Sequence, residues 1–389
     1  MALDQITLAA RARMIPPFIV VDVIDRAVEM QKAGEDVIML AVGEPDFPTP
    51  ACIVAAAEQA LRQGRTKYTH SLGIPPLREA IAEDYGRRYG VKVSPEQIIV
   101  TPGTSPAMFL VFSGLMEPGD EIILSDPGYP CYKNMIEYLG GRVVRVPVFE
   151  EDGFQYRPAM IREKITPRTK AIIINSPGNP TGNLLEPERM AEIARLGQLV
   201  ISDEIYHGLV YAGREHSILE FTERAVVLNG FSKRYSMTGW RIGYTILPAE
   251  MVRPLQKVQQ NFFISTGDFV QWAGLAAILQ AEPEVERMRQ TFDQRRRLMI
   301  QSLRALGFGI TVEPTGAFYV LANARRFTDD SYRFAFDLLE RAKVGVAPGI
   351  DFGPNTEGYL RFSYAASREK IEEGLRRIER YLQTRPSPQ

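Results

Sequence analysis

Short apolar runs alternate with helix-like stretches over the first two thirds of the chain. Several runs are continuously apolar, which is typical of strands that helices cover on both faces. The pattern therefore predicts an α/β fold whose large domain holds a mostly parallel, seven-stranded sheet wrapped by helices. Helical stretches are predicted to begin near Ala51, Pro76 and Ser105. The strand-like runs cover residues 97–100, 121–124, 142–146, 171–174, 199–202, 225–229 and 241–247.

The two ends of the chain show a different pattern of predicted helices and strands. A helix is predicted over 19–32 and a short strand over 36–41, while a long charged helix over 282–306 precedes short strands and a last amphipathic helix. These parts predict a smaller α+β domain formed by the N- and C-terminal segments. The predicted division is an N-terminal arm with part of the small domain (1–44), a large ligand-binding domain (45–280), and an interdomain helix with the small C-terminal domain (281–389).

Charge and cysteine content exclude several classes of function. Lys and Arg total 46 against 47 Asp and Glu, a formal net charge of -1, so no global field would attract nucleic acid or a membrane. The two cysteines, Cys52 and Cys131, do not form a disulfide framework. With no leader-like or membrane-spanning apolar run, we expect a cytoplasmic protein. The three histidines lack ligand spacing, so no metal site is expected.

The stretch that carries the strongest chemical signal contains Lys233. It lies between two apolar runs, so Lys233 is predicted to sit in a loop at the edge of the sheet. Ser232 precedes it, and glycines and Arg241 follow, which suits an amine nucleophile beside a bound phosphate. Our hypothesis is that Lys233 forms a Schiff base with pyridoxal phosphate.

A second signal is a turn that joins the run 97–100 to a helix. Its sequence includes Gly103, Thr104 and Ser105, and free N–H groups at a helix start attract anions. The two hydroxyls add hydrogen-bond donors, so this turn suits a phosphate group. The alternative is an ordinary helix N-cap by Thr104 or Ser105.

Three further turns follow strands and present polar or aromatic groups. A rigid turn over 175–182 presents the amide of Asn179, which can donate to a phenolate oxygen or a carboxylate. Asp203 ends a central strand, where an acid invites a cationic partner such as a protonated ring nitrogen. The alternative for Asp203 is a helix N-cap. Tyr206 could reach a neighbouring ring oxygen, and Tyr129 could stack on a flat cofactor.

Taken together, these motifs identify a family. The chain resembles the class I and II aminotransferases of the aspartate aminotransferase fold type (fold type I), which are pyridoxal-phosphate enzymes, over nearly its whole length. The segments that carry the resemblance are Ala-Val-Gly-Glu-Pro-Asp-Phe (41–47), Lys-Tyr (67–68), Ser-Pro-Gly-Asn-Pro-Thr-Gly (176–182), Asp-Glu-Ile-Tyr (203–206), the Ser-Lys pair through Arg241 (232–241) and Tyr-Leu-Arg-Phe-Ser (359–363).

The resemblance implies a role for each residue around the cofactor ring. Lys233 would hold the cofactor and later move the proton between the substrate Cα and the cofactor. Asp203 would keep the pyridine nitrogen protonated, while Tyr206 and Asn179 would contact the ring hydroxyl oxygen. The residues implied to bind the phosphate are Gly103, Thr104, Ser105, Ser232 and Arg241, joined by Tyr68 from a second subunit.

The substrate side of the site follows from the same resemblance. Arg361, with Asn179 and the Gly43 backbone, would bind the substrate α-carboxylate, a bidentate task that suits a guanidinium. A bacterial subgroup that prefers dicarboxylates has lysine where this chain has Ser105. The resemblance therefore leaves the amino donor open among aspartate, alanine, aromatic and broad-specificity classes.

The expected function is ping-pong transfer of an amino group from an L-amino acid to a 2-oxo acid such as 2-oxoglutarate. A homodimer with shared active sites is expected, because Tyr68 can serve the site only from across an interface. A pyridoxal-phosphate-dependent C–S β-lyase or a decarboxylase on the same scaffold is the alternative. A transcription regulator of this fold is not expected, since the Gly43 loop begins too early to leave room for a DNA-binding domain.

Overall fold

The computed structural model describes residues 7–384, so residues 1–6 of the predicted arm and residues 385–389 of the tail lie outside the described part. The α-helices are α1 (Ala10–Met14), α2 (Ile19–Lys32), α3 (Ala51–Arg62), α4 (Pro75–Tyr89), α5 (Thr104–Leu115), α6 (Pro130–Tyr138), α7 (Pro158–Lys164), α8 (Pro187–Ala194), α9 (Ala249–Phe262), α10 (Asp268–Gln280), α11 (Glu282–Ala305), α12 (Ser331–Asp337) and α13 (Arg368–Thr384). The strands are β1 (Ile38–Met39), β2 (Ile98–Thr101), β3 (Glu121–Asp126), β4 (Arg142–Pro147), β5 (Thr169–Asn175), β6 (Leu199–Asp203), β7 (Ala225–Gly230), β8 (Gly243–Ile246), β9 (Tyr319–Asn323), β10 (Val344–Gly345), β11 (Ala347–Pro348) and β12 (Tyr359–Ser363).

The central sheet has seven strands in the order β2-β8-β7-β6-β5-β3-β4. Strand β8 runs antiparallel to both of its neighbours, β2 and β7, and the pairs from β7 to β4 are all parallel. The mostly parallel seven-stranded sheet predicted from the apolar runs is therefore confirmed.

The strands are apolar on both faces because helices cover the sheet on both sides. On one face Ile99 and Ile173 pack in a cluster with Phe112 of α5 and Leu255 of α9. The opposite face of the same strands packs against α4 and α10 in a second, larger cluster. Burial on both faces explains why the sequence shows continuous apolar runs here instead of alternation.

One of the two small sheets joins the two ends of the chain. Strand β1 pairs in parallel with β10, so a segment near residue 38 lies beside one near residue 344. Strands β11, β12 and β9 form an antiparallel sheet in that order. The smaller α+β part built from both termini is confirmed. The predicted strand over 36–41 is shorter than expected, because its partner β10 has only two residues after Lys343, which adopts a left-handed conformation with φ 60.

Two absences apply to the described residues 7–384. None of their helices is both long and apolar enough to cross a membrane. No cluster of three or more His, Cys, Asp or Glu side chains among them could hold a metal ion.

Candidate active site

A cavity of about 270 Å³ opens at the carboxyl ends of the parallel strands. Ligands in open α/β sheets bind at this edge, where the turns after the strands converge. The structure brings most of the predicted residues together there. Those that line the cavity are Gly43, Thr104, Ser105, Tyr129, Asn179, Asp203, Tyr206, Ser232, Lys233, Arg241 and Arg361.

Lys233 lies in the loop between β7 and β8, as predicted. Its Nζ donates a hydrogen bond to the backbone oxygen of Gly43 at 2.6 Å. Burial lowers the pKa of Lys233 to about 8, and the positive charges of Arg361 and Arg241 act in the same direction, although Glu44 opposes them. The cavity therefore holds a larger fraction of the neutral amine, the nucleophilic form, than an ordinary lysine has at the same pH.

Asp203 ends β6 and is buried. Its Oδ2 accepts a hydrogen bond from the Tyr132 hydroxyl at 2.6 Å, and its Oδ1 accepts one from the Ile205 amide at 3.1 Å. Burial raises the pKa of Asp203 to about 6, and these two hydrogen bonds limit the rise. A turn follows β6 in the described chain, so Asp203 does not cap an α-helix and that alternative is wrong.

The start of α5 forms an anion-binding corner. The N-cap is Gly103, with φ 106, and no side chain caps the helix, so the alternative of an N-cap by Thr104 or Ser105 is wrong. Thr104 instead donates its hydroxyl to the backbone oxygen of Asn229 at 3.3 Å. A Cβ on Gly103 would lie 2.5 Å from Nη2 of Arg241, so glycine is required for this close approach. A positive helix end, free amides and a guanidinium thus meet at one point.

Arg361 is the most constrained cation of the site, with only 2% of its surface exposed. It donates from Nη1 to Oδ1 of Asn179 at 2.8 Å and from Nη2 to the backbone oxygen of Ala41 at 2.7 Å. The rings of Tyr319 and Phe352 lie 4.2 and 4.8 Å from its central carbon. Both acceptors are neutral, and Nε has no partner among the described residues. A buried guanidinium in this state is suited to an anionic ligand.

Three residues of the site are not among those predicted from the sequence. Tyr132 contacts Asp203, as described above, and the hydroxyl of Tyr319 lies 2.9 Å from that of Tyr206. Asn175 accepts from the backbone amide of Asn179 at 2.8 Å and donates to the backbone oxygen of Asp203 at 2.9 Å, so it braces both turns. The signal for Asn175 was available, because it ends a buried strand and opens the predicted turn.

Two predicted residues do not line the cavity. Gly103 stands behind Arg241 and acts through the close approach described above. Tyr68 is 82% exposed on the single chain. Its expected role in the site of a second subunit stays a prediction.

Comparison with known proteins places this geometry in a family. The family described as Aminotransferase class I and II matches residues 35–378. The chain is 41% identical over 383 residues to the aspartate/prephenate aminotransferase of Thermus thermophilus, covering 96% of this chain and 98% of that protein. It is 38% identical over 387 residues to the valine–pyruvate aminotransferase of Mycobacterium tuberculosis, covering 97% of this chain and 99% of that protein.

Solved structures agree with the sequence relatives. The aspartate aminotransferase of Thermus thermophilus with maleate superimposes with a TM-score of 0.93 at 40% identity, covering 97% of this chain and 100% of that one. An aminotransferase from Mycobacterium tuberculosis gives a TM-score of 0.93 at 38% identity, covering 98% and 100% of the two chains. The family match and these relatives identify the class of the protein, a pyridoxal-phosphate-dependent aminotransferase of fold type I. The chain belongs to the class I and II aminotransferase family.

Proposed function

We propose that this enzyme binds pyridoxal phosphate on Lys233 and transfers the amino group of an L-amino acid to a 2-oxo acid in a ping-pong cycle. The observation that carries the proposal is the pairing of Arg361, a buried guanidinium bonded only to neutral acceptors, with Lys233, an amine of lowered pKa, in one cavity. The guanidinium suits the carboxylate that every amino acid and 2-oxo acid carries.

The residues present fit the cofactor. The anion-binding corner at α5, with Thr104, Ser105, Ser232 and Arg241, would hold its phosphate. Asp203 would pair with the protonated ring nitrogen, and this pairing would offset the cost of burying the carboxylate. When bound, pyridoxal phosphate supplies an electron sink for the negative charge that develops at the substrate Cα.

The remaining side chains orient the ring of the cofactor. Tyr206 and Asn179 would donate to the ring hydroxyl oxygen, with Tyr319 and Asn175 holding each donor in place. The Oδ1 atom of Asn179 is occupied by Arg361, which leaves the NH₂ group of the amide for donation. Tyr129 lines the cavity and would stack on the ring.

The chain's own residues would also carry the proton transfer. Arg361 would bind the α-carboxylate and so fix the substrate Cα beside Nζ of Lys233. In its neutral form this amine would take the proton from the substrate Cα, and the resulting ammonium would be the acid that returns it. Asp203 stabilises the charge on the opposite side of the ring system. Substrate binding, proton transfer and charge stabilisation would thus fall to three different side chains.

A homodimer with shared sites is part of the proposal. Tyr68 is exposed on the single chain and lies outside its own cavity, so a hydroxyl from this residue would reach the phosphate of a second copy. A mixed dimer of Tyr68→Phe and Lys233→Ala chains tests this directly. If the sites are shared, one site of each mixed dimer would combine Lys233 with the unchanged Tyr68 of the other chain and would be intact. The other site would carry both substitutions. Activity per cofactor-bearing site equal to that of the Tyr68→Phe homodimer would contradict the shared site.

A two-step spectral cycle tests the proposed reaction. An L-amino acid alone should abolish the visible absorption band of the bound cofactor, and a 2-oxo acid added afterwards should restore it. A β-lyase would release ammonia and pyruvate instead, and a decarboxylase would release carbon dioxide. Either product in place of the reversible cycle would overturn the proposal.

The predicted domain boundaries and the cytoplasmic location stay predictions.

A further inference from the structure

One wall of the active-site cavity is apolar and comes mainly from a single helix. Val20, Val21 and Ile24 project from α2, and Phe18 precedes that helix. Met108 of α5 contributes a further apolar side chain to the lining. The wall lies in the same cavity as Arg361, which would hold the α-carboxylate, so it is available to the side chain of a bound amino acid.

Every cation of the cavity already has a partner in the proposed function, on which this inference rests. Among residues 7–384 the lining contains three cations, Lys233, Arg241 and Arg361. These are assigned to the cofactor amine linkage, the phosphate and the α-carboxylate. No lining cation of the described chain is left for a second substrate carboxylate. Glu44, which accepts a hydrogen bond from Thr238 of the lining, adds negative charge instead.

The position of the apolar wall is fixed by the fold. Asp351 accepts hydrogen bonds from the backbone amides of Ile19 and Val20, at 3.2 and 3.1 Å, and so holds the first turn of α2. The adjoining part of the apolar face of α2 is buried, with Val23 packed in a cluster that includes Val20 and Phe352. The wall is therefore held from two sides. Asp351 is a positioning residue for it.

We propose that this cavity receives the side chain of an aliphatic or aromatic amino donor, and that it disfavours dicarboxylic donors such as aspartate. Apolar side chains gain free energy by covering the wall, about 25 cal/mol for each Å² removed from water. A distal carboxylate would lose water there without gaining a cationic partner from this chain.

Unreactive carboxylic acids test the proposal without turnover. Binding of acetate, propanoate, butanoate and 4-methylpentanoate to the holoenzyme would be measured by calorimetry at constant pH, together with succinate and glutarate. Affinity should rise about fourfold for each added methylene along the apolar series. We expect 4-methylpentanoate to bind about tenfold more tightly than succinate, since the second carboxylate of succinate stays unpaired.

Variants of α2 locate the effect. Ile24→Ala should weaken binding of 4-methylpentanoate about tenfold and leave acetate unchanged, because only the longer acid reaches the wall. Val28→Ala is the matched control, since Val28 lies on the same helix, is 39% exposed and does not line the cavity. Equal losses in the two variants would contradict the assignment of the wall.

A donor panel separates failure of this inference from failure of the proposed function. Leucine or phenylalanine should discharge the visible band of the holoenzyme faster than aspartate at equal concentration. If aspartate or glutamate reacts fastest and succinate binds more tightly than 4-methylpentanoate, the inference is overturned while the aminotransferase function stands. A second subunit that supplied a cation for the distal carboxylate would give this same result and would overturn the inference in the same way. If no amino acid discharges the band, the proposed function itself fails.

Discussion

The hydrogen bond from Tyr132 to Asp203 offers a test of the electrostatics of the site. The hydroxyl donates to Oδ2 at 2.6 Å in a fully buried setting, and it lowers a pKa that burial has raised to about 6. Hydrogen bonds to charged groups contribute about 1.5 to 3 kcal/mol, and one pKa unit corresponds to about 1.4 kcal/mol. Tyr132→Phe should therefore raise the pKa of Asp203 by roughly one to two units, to about 7 or 8.

The pH dependence of cofactor affinity follows from the ionisation of Asp203. Asp203 can pair with the protonated ring nitrogen only when ionised, so this contribution to cofactor binding is present above its pKa and lost as the pH falls through it. At pH 7 about nine tenths of the wild-type carboxylate would be ionised, against roughly one tenth to one half in the variant. Cofactor affinity should fall about two- to tenfold at pH 7 and approach the wild-type value above about pH 9.

The assay is titration of the cofactor-free protein with pyridoxal phosphate from pH 6 to 9, followed by visible absorbance. The ratio of the two dissociation constants removes any pH effect that the variant and the wild type share, including the titration of Lys233. Tyr156→Phe is the control, because Tyr156 is a buried tyrosine whose hydroxyl donates to the backbone oxygen of Ile173 at 2.9 Å, not to a carboxylate. A ratio for Tyr132→Phe that does not change with pH would refute the reasoning.

Three further predictions concern single residues of the site. The rate at which the cofactor attaches to Lys233 should rise with pH and level off above about pH 8, because burial lowers the pKa of this amine to about 8. Stopped-flow absorbance measures this rate, and a rise that continues to pH 10 would contradict the effect of burial. Arg361→Lys should raise KM for the amino donor about ten- to hundredfold through loss of bidentate binding. The cofactor affinity, measured by titration with pyridoxal phosphate, should stay unchanged. Gly103→Ala should weaken binding of pyridoxal phosphate about tenfold, because the new Cβ would meet Arg241, while pyridoxal, which lacks the phosphate, should bind as before.

Much of the fold could be predicted because its elements are long and buried. The seven strands of the central sheet follow from runs such as 171–174, and α2 begins and ends as its periodicity predicts. The small strands are less predictable, since their bounds depend on partners far away in the chain. The apolar run 317–321 predicts a strand, but β9 begins two residues later, at Tyr319, where it pairs with Ser363 of β12.

Residues of the site that follow strands could also be predicted, because a polar side chain at the end of a buried strand is costly unless a ligand or a partner satisfies it. The partners that orient them could not. Tyr319 lies in an apolar run and reads as a core tyrosine, while Tyr132 belongs to no recognisable motif. Only the folded chain brings the hydroxyl of Tyr132 to Asp203 and that of Tyr319 to Tyr206. The apolar wall was missed for a similar reason. Val21 and Ile24 show only that α2 is amphipathic, not that one edge of its apolar face lines a cavity.

The proposed function depends most on Lys233, as the carrier of the cofactor and the base at the substrate Cα. Borohydride treatment of the purified holoenzyme fixes the attached cofactor, and peptide mapping by mass spectrometry then locates the modified lysine. We expect one modified peptide, containing Lys233, and its loss when the enzyme is first saturated with an amino donor. Modification of another lysine, or of Lys233 unaffected by any amino acid, would contradict it.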